Sequence, residues 1–481
     1  MTGREQLRLS FLLCLPAILA QFSTILMEYI DAGMVGRLGA EQAAAIGLVS
    51  TTSWIFGGFC TASSSGFTVQ VAQRIGAKDF VGARSVLRKA FTALLIFSSC
   101  LALLGVAISG PLPRWLGGGE ELWSDASAYF AIHMAFLPMM QLCYTTGMML
   151  EAAGNMKIPS LCNVLMCLMD VGFNYLFIYG MGMGVKGAAI GTGLSHLLTA
   201  LAMLWFLLER SPELSLRLDR LHTDAEGPSD DQPLADDRRE VATPRDRSFI
   251  PDEDTLQTAF GICGPMWLQN IVMRGAYIIS TLIVAPLGTI AIAANSFAII
   301  AESFCYMPGY GMEEAVTTLV GQSVGARRKE LARRFAHIST AAGALMMTGL
   351  AVLMYAFAPQ MMGLLTEDGE VIALGARVLR IEAFAELMYG VSIVAYGACV
   401  GAGDTLMPSV MNFSSMWVVR IGLALVLTPR FGLVGYWVAM CIELNVRGLL
   451  FMGRISGRKW LEKDILNKEK RTIWRRQKKS V

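Results

Sequence analysis

The chain has 481 residues, of which 54% are hydrophobic and only 16% are charged, and its mean hydropathy is +0.50. This composition excludes a soluble globular protein of this length, and it excludes a disordered or collagen-like chain as well. The formal net charge is only +2, so the overall charge indicates no partner such as a nucleic acid. The composition therefore predicts a polytopic membrane protein.

The first apolar run begins near Leu9 and is too long for a signal-peptide core. No small-residue cleavage site follows it, so we expect this run to be retained as a membrane span. The ten cysteines lie in apolar stretches, and none forms a CxxC motif or a Cys/His cluster with metal-ligand spacing. We interpret them as small core residues and expect no metal site.

A hydrocarbon core about 30 Å thick requires roughly 20 apolar residues per helix. Twelve stretches meet this requirement, in chain order 9–35, 43–72, 89–111, 124–151, 158–179, 185–208, 256–284, 291–320, 335–358, 371–400, 407–428 and 433–452. The region between the sixth and seventh stretches is acidic, contains Pro228 and Pro233, and has nothing that could form a core. We expect an all-α integral membrane protein with four parts: an N-terminal six-helix lobe (1–208), an acidic flexible cytoplasmic linker (209–255), a C-terminal six-helix lobe (256–452) and a basic cytoplasmic tail (453–481).

The distribution of Lys and Arg predicts the orientation, because positively charged loops stay on the cytoplasmic side. With the N-terminus inside, the inner segments hold 31 of the 40 basic residues, whereas the outer loops hold only Arg37, Arg114, Lys186 and Arg430. Both termini are therefore expected in the cytoplasm, as an even number of spans allows. The tail after Arg454 interleaves basic and apolar residues, which is typical either of an interfacial helix that binds membrane lipids or of a solvated tail.

The chain repeats itself at an offset of 249 residues. The matches include Pro16 with Pro265, Leu38-Gly39 with Leu287-Gly288, Gln73 with Gln322, Gly76-Ala77 with Gly325-Ala326, Ala153-Gly154 with Ala402-Gly403, and Pro159-Ser160 with Pro408-Ser409; one gap later, Gly184 and Gly187 match Gly432 and Gly435. Since both halves start inside and contain six spans, they form a parallel repeat about an axis along the membrane normal. Two related bundles enclose a central cleft, which is the architecture of a transporter that works by alternating access. No G-x-x-x-x-G-K-[ST] phosphate loop is present, so we expect an ion gradient to drive transport.

Several motifs along the chain resemble the multidrug and toxic compound extrusion (MATE) family of the multidrug/oligosaccharidyl-lipid/polysaccharide flippase superfamily. They are Pro16 with Asp31-Ala-Gly-Met-Val-Gly-Arg-Leu-Gly39, Val71-Ala-Gln-Arg-Ile-Gly-Ala77 with Val320-Gly-Gln-Ser-Val-Gly-Ala326, Ala153-Gly-Asn-Met-Lys-Ile-Pro159 with Ala402-Gly-Asp-Thr-Leu-Met-Pro408, and Phe173-Asn-Tyr-Leu-Phe-Ile-Tyr-Gly180. The resemblance covers nearly the whole chain apart from the linker and the tail. It implies cation-coupled efflux of small amphipathic, often cationic compounds.

Ionisable residues inside membrane spans are costly and are candidates for function. Asp31, Asp170, Asn174 and Thr192 all fall in the outer half of their spans, and Asp170 and Asn174 share one helix face. By resemblance, these four positions match the cation site of the N-terminal lobe in related MATE proteins. The family more often has Asn at the position of Asp170 and Asp at the position of Asn174, so the two residue types are exchanged here. Pro16 is a candidate hinge, because it removes a backbone hydrogen bond from the helix that carries Asp31.

The C-terminal half offers other candidates. Span seven contains no acid and instead holds Arg274, so a second cation site of the kind that uses a glutamate there is not expected. Glu382 and Glu386, one helical turn apart, are candidates for a substrate cavity that attracts cations, or they pair with arginines within the lobe. Glu443 and Arg447 are expected to pair with each other, and His133 and His196 to be packed or hydrogen-bonded.

The main functional hypothesis is a secondary antiporter that exports small amphipathic compounds in exchange for H⁺ or Na⁺. The alternative is a flippase for a lipid-linked oligosaccharide or a peptidoglycan precursor, which would be expected to line its cavity with arginines for a diphosphate. A membrane-embedded enzyme is not expected, because no clustered metal ligands and no nucleophile with a base occur in the sequence. We therefore expect a protein of the inner or plasma membrane that needs no cofactor beyond the coupling ion, and for which no protein partner is implied.

Overall fold

The structure is a computed structural model that describes residues 3–215 and 248–462. Most of the predicted linker, most of the predicted basic tail and the first two residues lie outside the described residues. Within the described ranges the regular structure is entirely helical. This follows from the apolar composition, since a chain in lipid must satisfy its backbone hydrogen bonds internally.

The first half contains eight helices. They are α1 (Gly3–Gly36), α2 (Ala40–Gly76), α3 (Phe80–Ile108), the short α4 (Leu112–Trp115), α5 (Glu120–Ala135), α6 (Leu137–Ala152), α7 (Lys157–Tyr175) and α8 (Val185–Glu209). A π-helical turn, Leu176–Gly180, follows α7.

The second half repeats this order. Its helices are α9 (Glu253–Val284), α10 (Thr289–Gly325), α11 (Lys329–Gly363), α12 (Gly369–Glu382), α13 (Glu386–Gly401), α14 (Leu406–Ser414) and α15 (Gly422–Ser456). A π-helical segment, Ser415–Ile421, joins the last two, and short 3₁₀ turns occupy Ala285–Leu287 and Lys459–Leu461.

The described helices account for the twelve predicted spans. Nine segments are long and apolar enough to cross a membrane, and two bent pairs, α5 with α6 at 45° and α12 with α13 at 60°, bring the number to eleven. The longest segment, Leu406–Ser456, has a break at Gly432, whose φ of 60° and ψ of −143° are not helical. Glycine adopts this backbone conformation without a Cβ clash, so the segment forms two consecutive spans.

Each half has its own apolar core. One cluster centres on Leu87, Met149 and Leu150 in the first half, and another on Met354, Leu379 and Trp437 in the second. The two halves therefore pack as two lobes, in agreement with the predicted pair of six-helix bundles.

The two lobes contact each other through the first two long helices of each half. In one contact Gln21 and Tyr29 of α1 meet Glu314 and Phe304 of α10. In the related contact Trp267 of α9 donates from its indole N–H to Ser63 Oγ of α2 over 3.0 Å. Because the first helix of each half packs on the second helix of the other, these four helices form the interface where a central cleft is expected.

Candidate functional site

Three of the four predicted cation-site residues lie together in the N-terminal lobe. Asn174 Nδ2 donates to Asp31 Oδ1 over 3.0 Å and to Asp170 Oδ2 over 3.0 Å. Asp170 and Asn174 are 0% and 2% exposed, respectively, whereas Asp31 is half-buried. One amide group thus joins two carboxylates from α1 and α7, which are 139 positions apart along the chain.

Helix α8 is the third helix that contributes to this cluster. Ser195 Oγ lies 3.1 Å from Asp170 Oδ1 and 2.8 Å from the Thr192 carbonyl oxygen. The Thr192 hydroxyl is also within hydrogen-bonding reach of Asp170. His196 is hydrogen-bonded as expected, since its Nδ1 lies 2.8 Å from the same Thr192 carbonyl. The fourth predicted residue therefore contributes to the cluster, and Ser195 joins it as a residue that sequence reasoning missed.

Close packing of α8 on α7 holds Asn174 in place. A Cβ on Gly191 would overlap Asn174 Oδ1. This buried amide oxygen accepts no hydrogen bond within the described part of the chain. Together with the carboxylates of Asp31 and Asp170 it forms a set of oxygen atoms of the kind that Na⁺ or a proton binds.

The C-terminal lobe has a different polar interior. Glu443 is 0% exposed and lies between two arginines, with Arg420 Nη2 at 2.8 Å and Arg447 Nη2 at 2.6 Å. The expected pairing of Glu443 with Arg447 is confirmed, and Arg420 adds a second cation. This lobe therefore carries a built-in ion triad of buried side chains.

Glu382 and Glu386 lie inside the C-terminal lobe, at the bend between α12 and α13. Both are 0% exposed, and their carboxylate oxygens accept no hydrogen bond from any described residue. Both interact electrostatically with Glu302, and Glu382 also interacts with Arg420. The two helices meet there at 60°, and neither glutamate is among the residues that line the central cavity.

The central cavity lies between the lobes and has a volume of about 430 Å³. This volume is within the range of small-molecule sites. Its walls come from α1, α2, α9, α10, α13, α14 and α15. The three tyrosines in its wall are Tyr310, Tyr389 and Tyr396.

The acidic residues of this cavity are Glu313 and Glu314 of α10. Both are partly exposed, and Glu314 Oε1 accepts a hydrogen bond of 3.0 Å from Gln21 Nε2. Arg447 also reaches the wall, but it is bonded to Glu443. Sequence reasoning missed this pair of glutamates, although two adjacent carboxylates in the middle of an apolar span were a readable signal.

Helix α1 connects the cavity to the cluster of Asp31, Asp170 and Asn174. Gln21 contacts the cavity glutamate, and Asp31 contacts Asn174 ten residues later. Ten residues of α-helix span about 15 Å along the axis. Pro16 lies five residues before Gln21, inside a helix that continues through it from Gly3 to Gly36. A bend or a rotation of α1 would therefore move both sites together.

Comparisons with known proteins agree with the duplicated helical fold. A family model described as MatE matches residues 16–176 and again residues 265–426. The chain belongs to the MatE family. The two matches begin at Pro16 and Pro265, so the family unit is the repeat that the sequence predicted. The chain is accordingly a multi-pass membrane transporter.

Relatives and solved structures cover nearly all of this MatE chain. It is 24% identical over 469 residues to a probable multidrug resistance protein NorM of Thermotoga maritima, covering 95% of this chain and 94% of the relative. It is 22% identical over 466 residues to the multidrug resistance protein MdtK of Yersinia pestis, covering 94% of each chain. A crystal structure of the Vibrio cholerae MATE transporter VcmN in a bent form superimposes with a TM-score of 0.83 at 17% identity, covering 96% of this chain and 99% of that one. The structural likeness establishes the fold of this MatE member.

Proposed function

We propose that this MatE member exports small amphipathic cations from the cell in exchange for H⁺ or Na⁺. The observation that carries the proposal is that one helix, α1, contacts two acidic sites. Through Gln21, α1 contacts Glu314 in the cavity, and through Asp31 it contacts the carboxylate cluster in the N-terminal lobe. The names of the NorM and MdtK relatives as multidrug resistance proteins support efflux as the direction and drugs as the substrate class.

The cavity supports a cationic, partly aromatic substrate. Glu313 and Glu314 supply negative charge in a cavity walled by helices, where a charge interacts more strongly than in bulk solvent. Tyr310, Tyr389 and Tyr396 offer ring faces, which attract cations within about 6 Å of the ring centroid.

The cluster of Asp31, Asp170 and Asn174 is the proposed coupling site. Its contacts within the lobe are neutral polar groups from Asn174, Ser195 and Thr192. An arriving proton or sodium ion would neutralise carboxylates that are otherwise expensive to keep away from water. Cation binding would favour a state of α1 in which Gln21 and Glu314 change their contact and the cavity loses its affinity for the substrate.

This exchange requires a large difference in cation affinity between the two states. Shifting a two-state equilibrium from 1:99 to 99:1 takes about 5.5 kcal/mol of differential binding. Two carboxylates that share one amide, one buried and one half-buried, meet this demand more readily than one, because both depend on the same ion.

A transport assay tests the coupling site. In proteoliposomes, efflux of a fluorescent cation is measured with an H⁺ gradient, a Na⁺ gradient, both or neither, for the wild type and for Asp31→Asn and Asp170→Asn. Each variant should lose the gradient-dependent part of efflux while still binding the dye. Glu370→Gln, which changes an exposed acid at the start of α12, is the matched control and should leave efflux unchanged. Wild-type gradient-driven efflux in both aspartate variants would exclude this cluster as the coupling site.

A lipid-diphosphate flippase is the weaker alternative. Such a protein needs arginines free to bind phosphate. Here Arg420 and Arg447 are bonded to Glu443, and Arg274 stacks over the Trp54 ring at 5.3 Å. The cavity presents Glu313 and Glu314 instead, which repel a diphosphate.

We also propose that both termini and the linker are cytoplasmic, as the distribution of Lys and Arg predicts. A cysteine introduced at Asp231, which lies outside the described residues, should react with an impermeant thiol reagent only in inside-out vesicles. Its labelling from the outside of intact cells would reverse the orientation.

A further inference from the structure

The repeated Gln-x-x-Gly motif at the end of α2 and α10 makes two contacts that mirror each other. Gln73 Nε2 donates to the Gly401 carbonyl oxygen over 3.3 Å, and Gln322 Nε2 donates to the Ala152 carbonyl oxygen over 2.8 Å. The two glutamines are related by the offset of 249 residues, and so are the two acceptors. Each glutamine therefore reaches out of its own half and bonds to the last turn of a helix in the other half.

The same two helix ends approach each other at backbone distance. A Cβ on Gly76 would overlap the carbonyl group of Gln322, and a Cβ on Gly325 would overlap the carbonyl group of Gln73. Only glycine allows helices to meet this closely, so both repeats need it at this position. The Gln73 side chain is 0% exposed, which places this contact out of reach of solvent.

The turn that follows each helix end is also conformationally special. Lys78 and Arg327 have φ angles of 61° and 58°, and they are the only residues other than glycine with positive φ among the described ranges. These two residues also lie 249 positions apart. Both turns are closed by the same backbone hydrogen bond of 2.9 Å, from the amide of the residue after the left-handed one to a carbonyl oxygen in the last helical turn, so the two helices end with the same cap.

These contacts lie at one end of the central cavity. Glu313 and Glu314 precede Gln322 by nine and eight residues on α10. Eight to nine residues of α-helix correspond to about 12–14 Å. In the proposed orientation, the end that carries Gly76 and Gly325 faces the cytoplasm. The contacts therefore stand between the cavity and the cytoplasm.

We propose that Gln73 and Gln322, with Gly76 and Gly325, form a two-fold symmetric cytoplasmic gate that holds the transporter closed on the inside. Opening the cavity to the cytoplasm separates the ends of α2 and α10, which breaks both glutamine bonds in the same movement. Because of the duplication, the gate consists of two equivalent hydrogen bonds that break together. This gate rests on the proposed orientation, but it requires no assumption about the substrate or the coupling ion.

An accessibility experiment tests the gate in the full-length transporter. Thr61→Cys places a thiol in the cavity wall, where Thr61 is exposed. An impermeant maleimide is applied to inside-out and to right-side-out vesicles, and the labelled Thr61→Cys peptide is measured by mass spectrometry. Adding Gln73→Ala and Gln322→Ala should raise labelling from the cytoplasmic face several-fold and lower labelling from the outer face. Each single glutamine variant should show a smaller shift in the same direction.

A matched control separates gating from a general loss of packing. Gln141→Ala removes another buried glutamine, whose bonds to Ser64 Oγ, Thr145 Oγ1 and the Cys60 carbonyl all stay within the N-terminal lobe. It should leave the ratio of inner to outer labelling unchanged. An unchanged ratio in the Gln73/Gln322 double variant, or equal rises on both faces, would overturn the gate. A rise confined to the outer face would support the gate and overturn the proposed orientation.

A reversible cross-link provides the opposite perturbation. A Cβ on Gly321 would lie 3.1 Å from the Ala72 Cβ, a few tenths of an ångström closer than the roughly 3.5–4.5 Å between the Cβ atoms of a disulfide, so a small outward shift of the two helices would allow the bond. Oxidation of the variant with Ala72→Cys and Gly321→Cys should stop efflux and abolish cytoplasmic labelling of the Thr61→Cys thiol, and a reducing agent should restore both. Continued efflux by the fully cross-linked transporter would overturn the gate.

Discussion

The two lobes share one duplicated scaffold, yet their interiors carry different charges. In the N-terminal lobe, Asp31 and Asp170 meet at the amide of Asn174 among neutral groups. In the C-terminal lobe, Glu443 is held between Arg420 and Arg447. In the proposed function the first cluster receives its cation from outside, whereas the second already contains two arginines.

The divergence can be followed residue by residue through the repeat. The counterpart of Asp31, 249 positions later, is Ser280, so the carboxylate of the first helix has no equivalent in the second half. After the gap in the repeat, Ser195 corresponds to Glu443 at an offset of 248. One position of the scaffold thus holds a neutral hydroxyl beside Asp170 in one lobe and the central carboxylate of an ion triad in the other. The comparison teaches that a single scaffold supports a carboxylate cluster bonded to neutral groups in one lobe and a carboxylate paired with two arginines in the other.

Substitution of the two corresponding positions should give the largest contrast. Glu443→Gln leaves two buried arginines uncompensated, and loss of one partner from a buried ion pair costs about 3–5 kcal/mol. Ser195→Ala removes one hydrogen bond to Asp170 and should cost about 1 kcal/mol. Thermal unfolding in detergent should show a large loss of stability for Glu443→Gln and a small one for Ser195→Ala. The dependence of efflux on the concentration of H⁺ or Na⁺ should also change in Ser195→Ala. Similar stability losses in both variants would contradict the proposed difference between the lobes.

A steric substitution perturbs the N-terminal cluster without removing a carboxylate. Gly191→Ala forces a Cβ into Asn174 Oδ1, whereas Gly172→Ala on α7 meets no atom within 4 Å. Gly191→Ala should lower the affinity for the coupling ion about tenfold, because it displaces the amide that joins both carboxylates. A tenfold change corresponds to about 1.4 kcal/mol of binding free energy. The concentration of H⁺ or Na⁺ that gives half-maximal efflux measures this effect. Equal ion dependence of the two glycine variants would exclude Asn174 as a ligand.

Within the C-terminal half, a glutamate in the cavity can be compared with a glutamate inside the lobe. Glu314→Gln should lower the affinity for cationic dyes by up to about tenfold and leave neutral substrates nearly unaffected, because only a cation gains from the cavity charge. Glu386→Gln alters a carboxylate inside the lobe and should not discriminate between the two substrate classes. Competition binding with a charged and a neutral dye measures both variants. If Glu386→Gln alone selectively lowered the affinity for the charged dye, the sequence-based prediction that Glu386 belongs to the substrate cavity would be supported instead.

Exchange of the two residue types in the N-terminal cluster should have the smallest effect. The variant with Asp170→Asn and Asn174→Asp returns the arrangement that is more common in related MATE proteins and keeps the same number of carboxylates. Because one helical turn moves the carboxylate by about 6 Å on the same face, we expect gradient-driven efflux to persist with an altered preference between H⁺ and Na⁺. Efflux under each single gradient is the measurement. Complete loss of coupling would show that the native order of the two residues is required.

The sequence alone determined the class of this protein, its twelve spans and its duplication. These features depend on local and periodic properties, since hydrophobic runs, loop charges and the offset of 249 are all readable along one dimension. It also placed Asp31, Asp170 and Asn174 at matching depths, and the structure brings them into contact. The spacing of four positions from Asp170 to Asn174 predicted their shared face, and the resemblance to MATE proteins supplied the partner on the first helix.

Tertiary structure decided which acids face the cavity and which contacts close it. Glu382 and Glu386 are one turn apart in sequence, but a 60° bend separates α12 from α13 between them, and both side chains are buried. The mirrored bonds of Gln73 and Gln322 likewise require knowing how α2 meets α10 across the interface. Helical periodicity fixes which residues share a face of one helix, whereas the direction of that face depends on bends and on packing against helices that are distant in sequence.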